Sequence, residues 1–216
     1  MSQLQKLIND KYIHIKNCIT PDQIQDILNP HKLIEYQEKV TSKRTITKQW
    51  IGTCNLCDVH LQYMKFVELD DGRVDISLLK SLRLELLGEI PYKLGKIGLG
   101  EEFKIKAWNL LVLPPSDKEQ IWHQDNGGCD SDDYYTVLIP LNHQEGMGRT
   151  EIALPYTDNF NDHNLIMTPE VETGDALVFS GSLWHRGTPN LSKDTRYCLY
   201  MVLTKLPQEK IFESWK

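Results

Sequence analysis

The sequence has no long hydrophobic run, no excess of basic residues and no even set of cysteines. Its longest apolar runs are far shorter than the roughly 20 residues that a membrane-spanning helix needs, so we expect no membrane partner. Acidic residues outnumber basic ones, 30 against 24, and the net charge is −6. We therefore expect no nucleic-acid partner, because sequence-independent binding to nucleic acid needs a basic surface.

The cysteines also argue against a secreted, disulfide-bonded protein. There are five of them, and the first residues carry no apolar signal segment, so we expect a cytoplasmic protein with free thiols. Cys54 and Cys57 form one Cys-x-x-Cys pair without a second ligand pair, which favours free thiols over a zinc site. Their role stays open.

The patterning predicts one domain, 1–216, with no linker or repeat inside it. A short strand is predicted at 12–15. Thr20, followed by Pro21, is the predicted start of a helix. Spaced apolar residues predict a second helix over 75–88.

From about residue 100 the chain changes to short apolar runs that turn residues separate. Eight such runs predict a barrel or jelly roll over about 101–205, which the helices of about 1–100 buttress from outside. The predicted fold class is therefore mainly β with flanking α-helices. The runs are 103–113, 120–125, 134–141, 150–154, 165–168, 176–179, 183–187 and 196–204.

The segment Trp-His-Gln-Asp at 122–125 is a candidate metal site. On a strand, His123 and Asp125 would point to the same face and could bind one metal ion. His185 is the best third ligand. Two histidines and one carboxylate leave coordination positions open, which suits Fe(II) better than structural zinc. The other histidines lack such a pattern, and we interpret them as solvated or structural; they are His14, His31, His60, His143 and His163.

With these residues placed, the chain resembles the phytanoyl-CoA dioxygenase (PhyH-like) family of Fe(II)/2-oxoglutarate-dependent oxygenases. Four segments in order carry the resemblance: Trp-His-Gln-Asp at 122–125, Gly-Arg-Thr-Glu at 148–151, Gly-Asp through Trp-His-Arg-Gly at 174–187, and Asn through Arg at 190–196. The resemblance implies a double-stranded β-helix, a cupin-like jelly-roll barrel.

The resemblance also implies cofactors and site residues. The cofactors are Fe(II), the co-substrate 2-oxoglutarate and O2. Arg196 stands eleven residues after the distal histidine, where the family places the arginine that binds the far carboxylate of 2-oxoglutarate. Asn109 and Thr136 are predicted as further contacts to 2-oxoglutarate. Asn126 and Arg149 are predicted contacts to the substrate.

The implied activity is an oxygenase that hydroxylates a small-molecule substrate with release of succinate and CO2. A peptide or protein hydroxylase is the first alternative. A non-catalytic jelly-roll module that binds a metal is another, and a cupin-type metal hydrolase or isomerase is a third. Arg196 argues against the last two, because neither needs an anchor for a co-substrate. The identity of the substrate and the oligomeric state stay open.

Overall fold

Apolar runs in the second half of the chain form the centre of a large antiparallel sheet. The protein is described here by a computed structural model. The structure describes residues 2–28, 66–68, 74–77, 89–99, 103–125, 133–154 and 165–205. Within these ranges no helix is long and apolar enough to cross a membrane.

The described elements are three helices and ten strands. The helices are α1 (Gln3–Asp10), α2 (Pro21–Ile27) and α3 (Glu89–Lys96). The strands are β1 (Tyr12–Ile15), β2 (Phe66–Glu68), β3 (Val74–Ser77), β4 (Lys104–Leu113), β5 (Tyr134–Pro140), β6 (Thr150–Leu154), β7 (Leu165–Met167), β8 (Ala176–Ser180), β9 (His185–Gly187) and β10 (Arg196–Thr204). A seven-stranded sheet has the order β1-β8-β5-β10-β4-β3-β2, and a three-stranded sheet has the order β7-β6-β9.

Strand β5 is buried on both faces, and alternate residues reach two different cores. Tyr135, Val137 and Ile139 belong to the outer core, which helices cover. Helix residues in this core include Leu7, Ile24, Ile27, Ile90 and Leu94. The helices therefore buttress the large sheet from outside, as the sequence predicted.

The opposite face of β5 points between the two sheets. Leu138 packs in an inner core with Leu177 of β8 and Ile152 of β6. Because β6 belongs to the small sheet, the two sheets face each other across this inner core. Any site between the sheets is consequently lined by the even-numbered residues of β5.

The predicted start of α2 is confirmed by its hydrogen bonds. The Thr20 hydroxyl accepts from the Gln23 backbone N–H at 3.3 Å, and the Gln23 side chain accepts from the Thr20 N–H at 2.8 Å. This reciprocal pair is a capping box, which satisfies two backbone donors at the helix start.

Two sequence predictions of secondary structure were wrong. Residues 75–77 lie in β3, which pairs with β4, so no helix begins at Asp75; residues 78–88 lie outside the described part. Pairing with a neighbouring strand overrides local helical spacing. The run 120–125 is no strand either, because only His123 makes a β-bridge.

The N-terminal segment is fixed to the large sheet through Asp175. Its carboxylate accepts a hydrogen bond from the Asn17 backbone N–H at 2.7 Å and contacts the His14 ring at 2.7 Å. The Gly174 carbonyl accepts from the backbone N–H groups of Cys18 and Ile19. Gly174 has φ +84°, and a Cβ there would lie 2.8 Å from the Ile19 carbonyl oxygen. A glycine is therefore required at this crossing.

We expect Asp175→Ala to lower the free energy of unfolding by about 2–3 kcal/mol, because it removes a buried acceptor that serves two groups. Urea unfolding measures this difference. Glu170→Ala is the matched control, because Glu170 is exposed on the same loop. Equal midpoints for the two variants would mean that Asp175 does not hold the N-terminal segment.

Candidate metal centre

The segment before β5 runs alongside the end of the small sheet. Backbone N–H and carbonyl groups of His123 and His185 bond each other in both directions at 3.0 Å. Three residues earlier, Gln120 bonds Gly187 through both its backbone and its side chain, at 3.0 and 2.6 Å. The side-chain bond replaces regular pairing, which explains why this segment is no strand.

This crossing brings together the three residues predicted as metal ligands. One ligand atom from each of His123, Asp125 and His185 lies within 4.8 Å of the others. The His123 Nε2 atom is 3.8 Å from one carboxylate oxygen of Asp125, and the His185 Nε2 atom is 3.6 Å from the other. Atoms at such separations can all reach one ion placed between them.

The two rings are held in the orientation that a metal needs. The Nδ1 atom of His123 lies 2.8 Å from the Ile121 carbonyl, and that of His185 lies 2.9 Å from the Leu183 carbonyl. A carbonyl only accepts, so each Nδ1 carries the proton and each Nε2 keeps its lone pair for the site.

The carboxylate is held by the floor of the barrel. Thr136, which is fully buried, donates its hydroxyl proton to Asp125 Oδ2 at 2.5 Å. Phe179 packs against the His185 ring with 4.6 Å between ring centroids. Side-chain exposure is 6% for His185 and 30% for His123, so the site opens on the His123 side.

A cavity lies further along the same inner face of the large sheet. Its lining includes Leu138 and Pro140 of β5, Leu177 of β8 and Arg196 of β10. On β5 these residues follow Thr136 by two and four positions, which corresponds to roughly 7 and 13 Å. The cavity therefore adjoins the three candidate ligands.

Arg196 is a cation inside this cavity. Its guanidinium has no carboxylate partner in the described part of the chain. Burial is the main cause that lowers its pKa from the ordinary value; the Cys198 thiol opposes this change, and the Arg149 cation reinforces it. The cavity is consequently a place where a bound anion is favoured.

The remaining predicted site residues lie in different places. Arg149 lines the cavity together with Arg196. Asn109 stands on β4, with its backbone opposite Tyr200 of β10. Asn126 and the Cys54/Cys57 pair lie outside the described residues.

The sequence reasoning missed two features of the site. His143 lines the cavity and contacts Arg149, although a lone histidine without regular spacing gave no signal. Arg186 binds Glu119 and Glu151 at 2.7 Å each. Its guanidinium also lies 4.9 Å from the Trp122 ring centroid. The contact between Trp122 and Arg186 joins the neighbours of the two histidines. In the sequence, the adjacent Trp-His and His-Arg pairs were the signal that could have predicted it.

Comparisons with known proteins agree with this geometry. The family model of phytanoyl-CoA dioxygenase (PhyH) matches residues 136–198, which include His185 and Arg196. No curated protein matches the sequence significantly.

Several solved structures share the fold at low sequence identity. The non-heme alpha ketoglutarate dependent epimerase SnoN from nogalamycin biosynthesis has a TM-score of 0.66 and 13% identity, covering 94% of this chain and 80% of that one. The non-heme monooxygenase ThoJ, solved as a nickel complex, has a TM-score of 0.67 and 16% identity, with 94% and 76% covered. A prolyl-4-hydroxylase from Pseudomonas putida has a TM-score of 0.61 and 13% identity, with 94% and 97% covered.

These structures confirm the predicted fold class, a mainly β double-stranded helix of the cupin-like kind. The family model supplies the link at the level of sequence. Together they confirm the predicted resemblance: residues 136–198 match PhyH in sequence, and the chain shares the fold of solved alpha ketoglutarate dependent oxygenases.

Proposed function

We propose that this protein is an Fe(II)- and 2-oxoglutarate-dependent oxygenase. The observation that carries the proposal is the meeting of two Nε2 lone pairs and one carboxylate beside a cavity lined by Arg196, which no carboxylate binds among the described residues. We also infer that 1–216 acts as one domain, because β1 and β3 pair with strands of the second half.

The donor set fits iron. His123, Asp125 and His185 would be its ligands, and two histidines with one carboxylate leave positions open for other molecules. A closed tetrahedral zinc site would need a fourth protein ligand, and no fourth such ligand joins the group among the described residues. When bound, Fe(II) would supply the redox chemistry with O2 and 2-oxoglutarate, releasing succinate and CO2.

Arg196 is the proposed anchor for the far carboxylate of 2-oxoglutarate. A guanidinium can bind a carboxylate through two parallel hydrogen bonds, which fixes the position of the co-substrate. The walls next to it, Leu138 and Leu177, are apolar and would exclude water from the bound molecule. In the structure of SnoN with Fe3+, alpha ketoglutarate and nogalamycin RO, that protein holds both groups.

Thr136 is proposed to act on Asp125 and not directly on 2-oxoglutarate. A hydroxyl has one proton, and Thr136 donates it to Asp125 Oδ2. This bond orients the carboxylate, so that Oδ1 remains for the metal. Partners of metal ligands act in this way in many metalloproteins.

The proposed reaction is hydroxylation of a small molecule. It rests on the resemblance to PhyH and on relatives that include a monooxygenase. A peptide substrate is the alternative, because one structural relative is a prolyl hydroxylase bound to a peptide fragment. Succinate formation from 2-oxoglutarate, compared between added metabolite pools and added peptide pools, separates the two.

We expect His123→Ala and Asp125→Ala to lose most of their bound iron and their succinate formation, because each removes one of three ligands. Metal analysis after anaerobic reconstitution measures the iron. Asp117→Ala is the control, because Asp117 is an exposed carboxylate. Parent-like iron content in both ligand variants would refute the metal assignment.

We expect Thr136→Val to weaken Fe(II) binding by roughly ten- to hundredfold, because Asp125 loses its orienting donor. Thr136→Ser keeps the hydroxyl and should bind iron nearly as the parent does. Competition with a chelator of known affinity gives both values. If valine and serine variants bind iron equally well, the hydrogen bond does not position the ligand.

We expect Arg196→Ala to raise the Kd for 2-oxoglutarate by about tenfold to a hundredfold, because a charge-assisted pair is lost. Arg196→Lys keeps the charge but loses the two-pronged contact, so its Kd should lie between those of parent and Ala variant. The charge-transfer absorbance of the Fe(II)·2-oxoglutarate complex, titrated without oxygen, reports the binding. Unchanged affinity in Arg196→Ala would place the anchor elsewhere.

A further inference from the structure

The cavity next to the candidate metal centre contains a second arginine. Arg149 and Arg196 both line it, and neither guanidinium has an acidic partner within the part of the chain that the structure describes. Arg186, on β9 of the small sheet, is different, because two carboxylates bind it at 2.7 Å each. Within the described residues, carboxylates therefore neutralise Arg186, whereas Arg149 and Arg196 face one cavity without one.

Arg149 is held in place by His143. The Arg149 Nη2 group donates to His143 Nε2 at 2.7 Å. An imidazole nitrogen can accept only when it is unprotonated, so His143 is neutral in this contact. Because the guanidinium has five N–H donors, most of them remain for another partner.

The charges around His143 favour its neutral form. Burial lowers the pKa of His143 from its ordinary value, and the Arg149 and Arg196 cations lower it further, whereas the Glu172 carboxylate acts in the opposite direction. At neutral pH the ring therefore remains an acceptor for Arg149.

The backbone of Arg149 is fixed as well. Its N–H donates to the Thr188 hydroxyl at 2.8 Å, and its carbonyl accepts from the Thr188 N–H at 2.8 Å. At Gly148 a Cβ would lie only 2.2 Å from the Thr188 carbonyl oxygen, so the two segments touch at their backbones. This close contact ties Arg149 to the segment that follows His185.

We propose that Arg149 is a second binding residue for the distal carboxylate of 2-oxoglutarate, with His143 as its positioning residue. This inference rests on the proposed function. Two guanidiniums that line one cavity repel each other, and one shared carboxylate would offset that repulsion. The site would then select a 2-oxo acid with a second carboxylate over one without it.

The test compares two 2-oxo acids on the Fe(II)-loaded protein without oxygen. 2-Oxoglutarate carries the distal carboxylate, and 2-oxobutanoate lacks it. We expect Arg149→Ala to raise the Kd for 2-oxoglutarate by about tenfold or more and to leave the Kd for 2-oxobutanoate within about twofold. Lys193→Ala, which removes an exposed cation, should leave both values unchanged.

The role of His143 needs its own variants. His143→Leu removes the acceptor and should weaken 2-oxoglutarate binding by about threefold to tenfold, again without an effect on 2-oxobutanoate. His143→Gln offers a neutral carbonyl acceptor and should restore most of the affinity. A loss of affinity for both 2-oxo acids would mean that His143 is merely structural, and it would overturn the positioning role.

A direct readout of the contact does not depend on the co-substrate. In the zinc-substituted full-length protein, the NMR-measured pKa of His143 should rise in Arg149→Ala, because a cation that favours the neutral ring is removed. An unchanged pKa would overturn the contact.

The outcomes separate this inference from the function on which it rests. If the parent binds no 2-oxoglutarate, the proposed function fails and the inference fails with it. If the parent binds it and Arg149→Ala binds it equally well, only the role of Arg149 is overturned. Equal weakening of both 2-oxo acids in Arg149→Ala would likewise contradict a contact to the distal carboxylate.

Discussion

The site depends on one short backbone contact, the pair of hydrogen bonds between His123 and His185. These residues are distant in sequence, and the two hydrogen bonds hold their backbones side by side without the help of a metal ion. The local bonds from each Nδ1 to a carbonyl two residues earlier then set the direction of each ring. Preorganisation of this kind lowers the cost in conformational entropy of ordering the ligands when a metal binds.

The inward-facing residues of β5 connect the metal ligands to the cavity that Arg196 lines. Thr136 donates a hydrogen bond to Asp125, and Leu138 and Pro140 line the cavity that Arg196 also lines. One face of β5 thus runs from the residue that holds the metal ligand Asp125, past an apolar wall, to the cavity that Arg196 of β10 lines. The opposite face of the same strand packs in the outer core, so the spacing along the site is fixed by the fold.

Much of the barrel and of the metal site could be predicted from the sequence, because side chains alternate between the two faces of a strand. The runs at 134–141 and 150–154 contain the strands β5 and β6, and His-x-Asp with a later histidine marked the candidate ligands. Residues 120–125 are not the strand that the sequence predicted, because the Gln120 side chain and a single bridge at His123 hold them beside β9. Residues 75–77 show the same limit, because a sheet partner decided their conformation. The contact between His143 and Arg149 carries no periodic signal at all.

Arg149 and Arg196 have no carboxylate partner in the described part of the chain, and this has a consequence for stability as well as for binding. Confining cations in a cavity without an acidic partner costs free energy, and replacement by apolar residues would often stabilise a fold. A site built this way is therefore destabilising in the free protein and becomes favourable when an anion binds. Arg186 shows that the chain can supply carboxylates where a structural ion pair serves. Among the described residues no carboxylate binds Arg149 or Arg196, so most of their hydrogen-bond donors remain available, which is the arrangement expected of a binding site and not of a structural one.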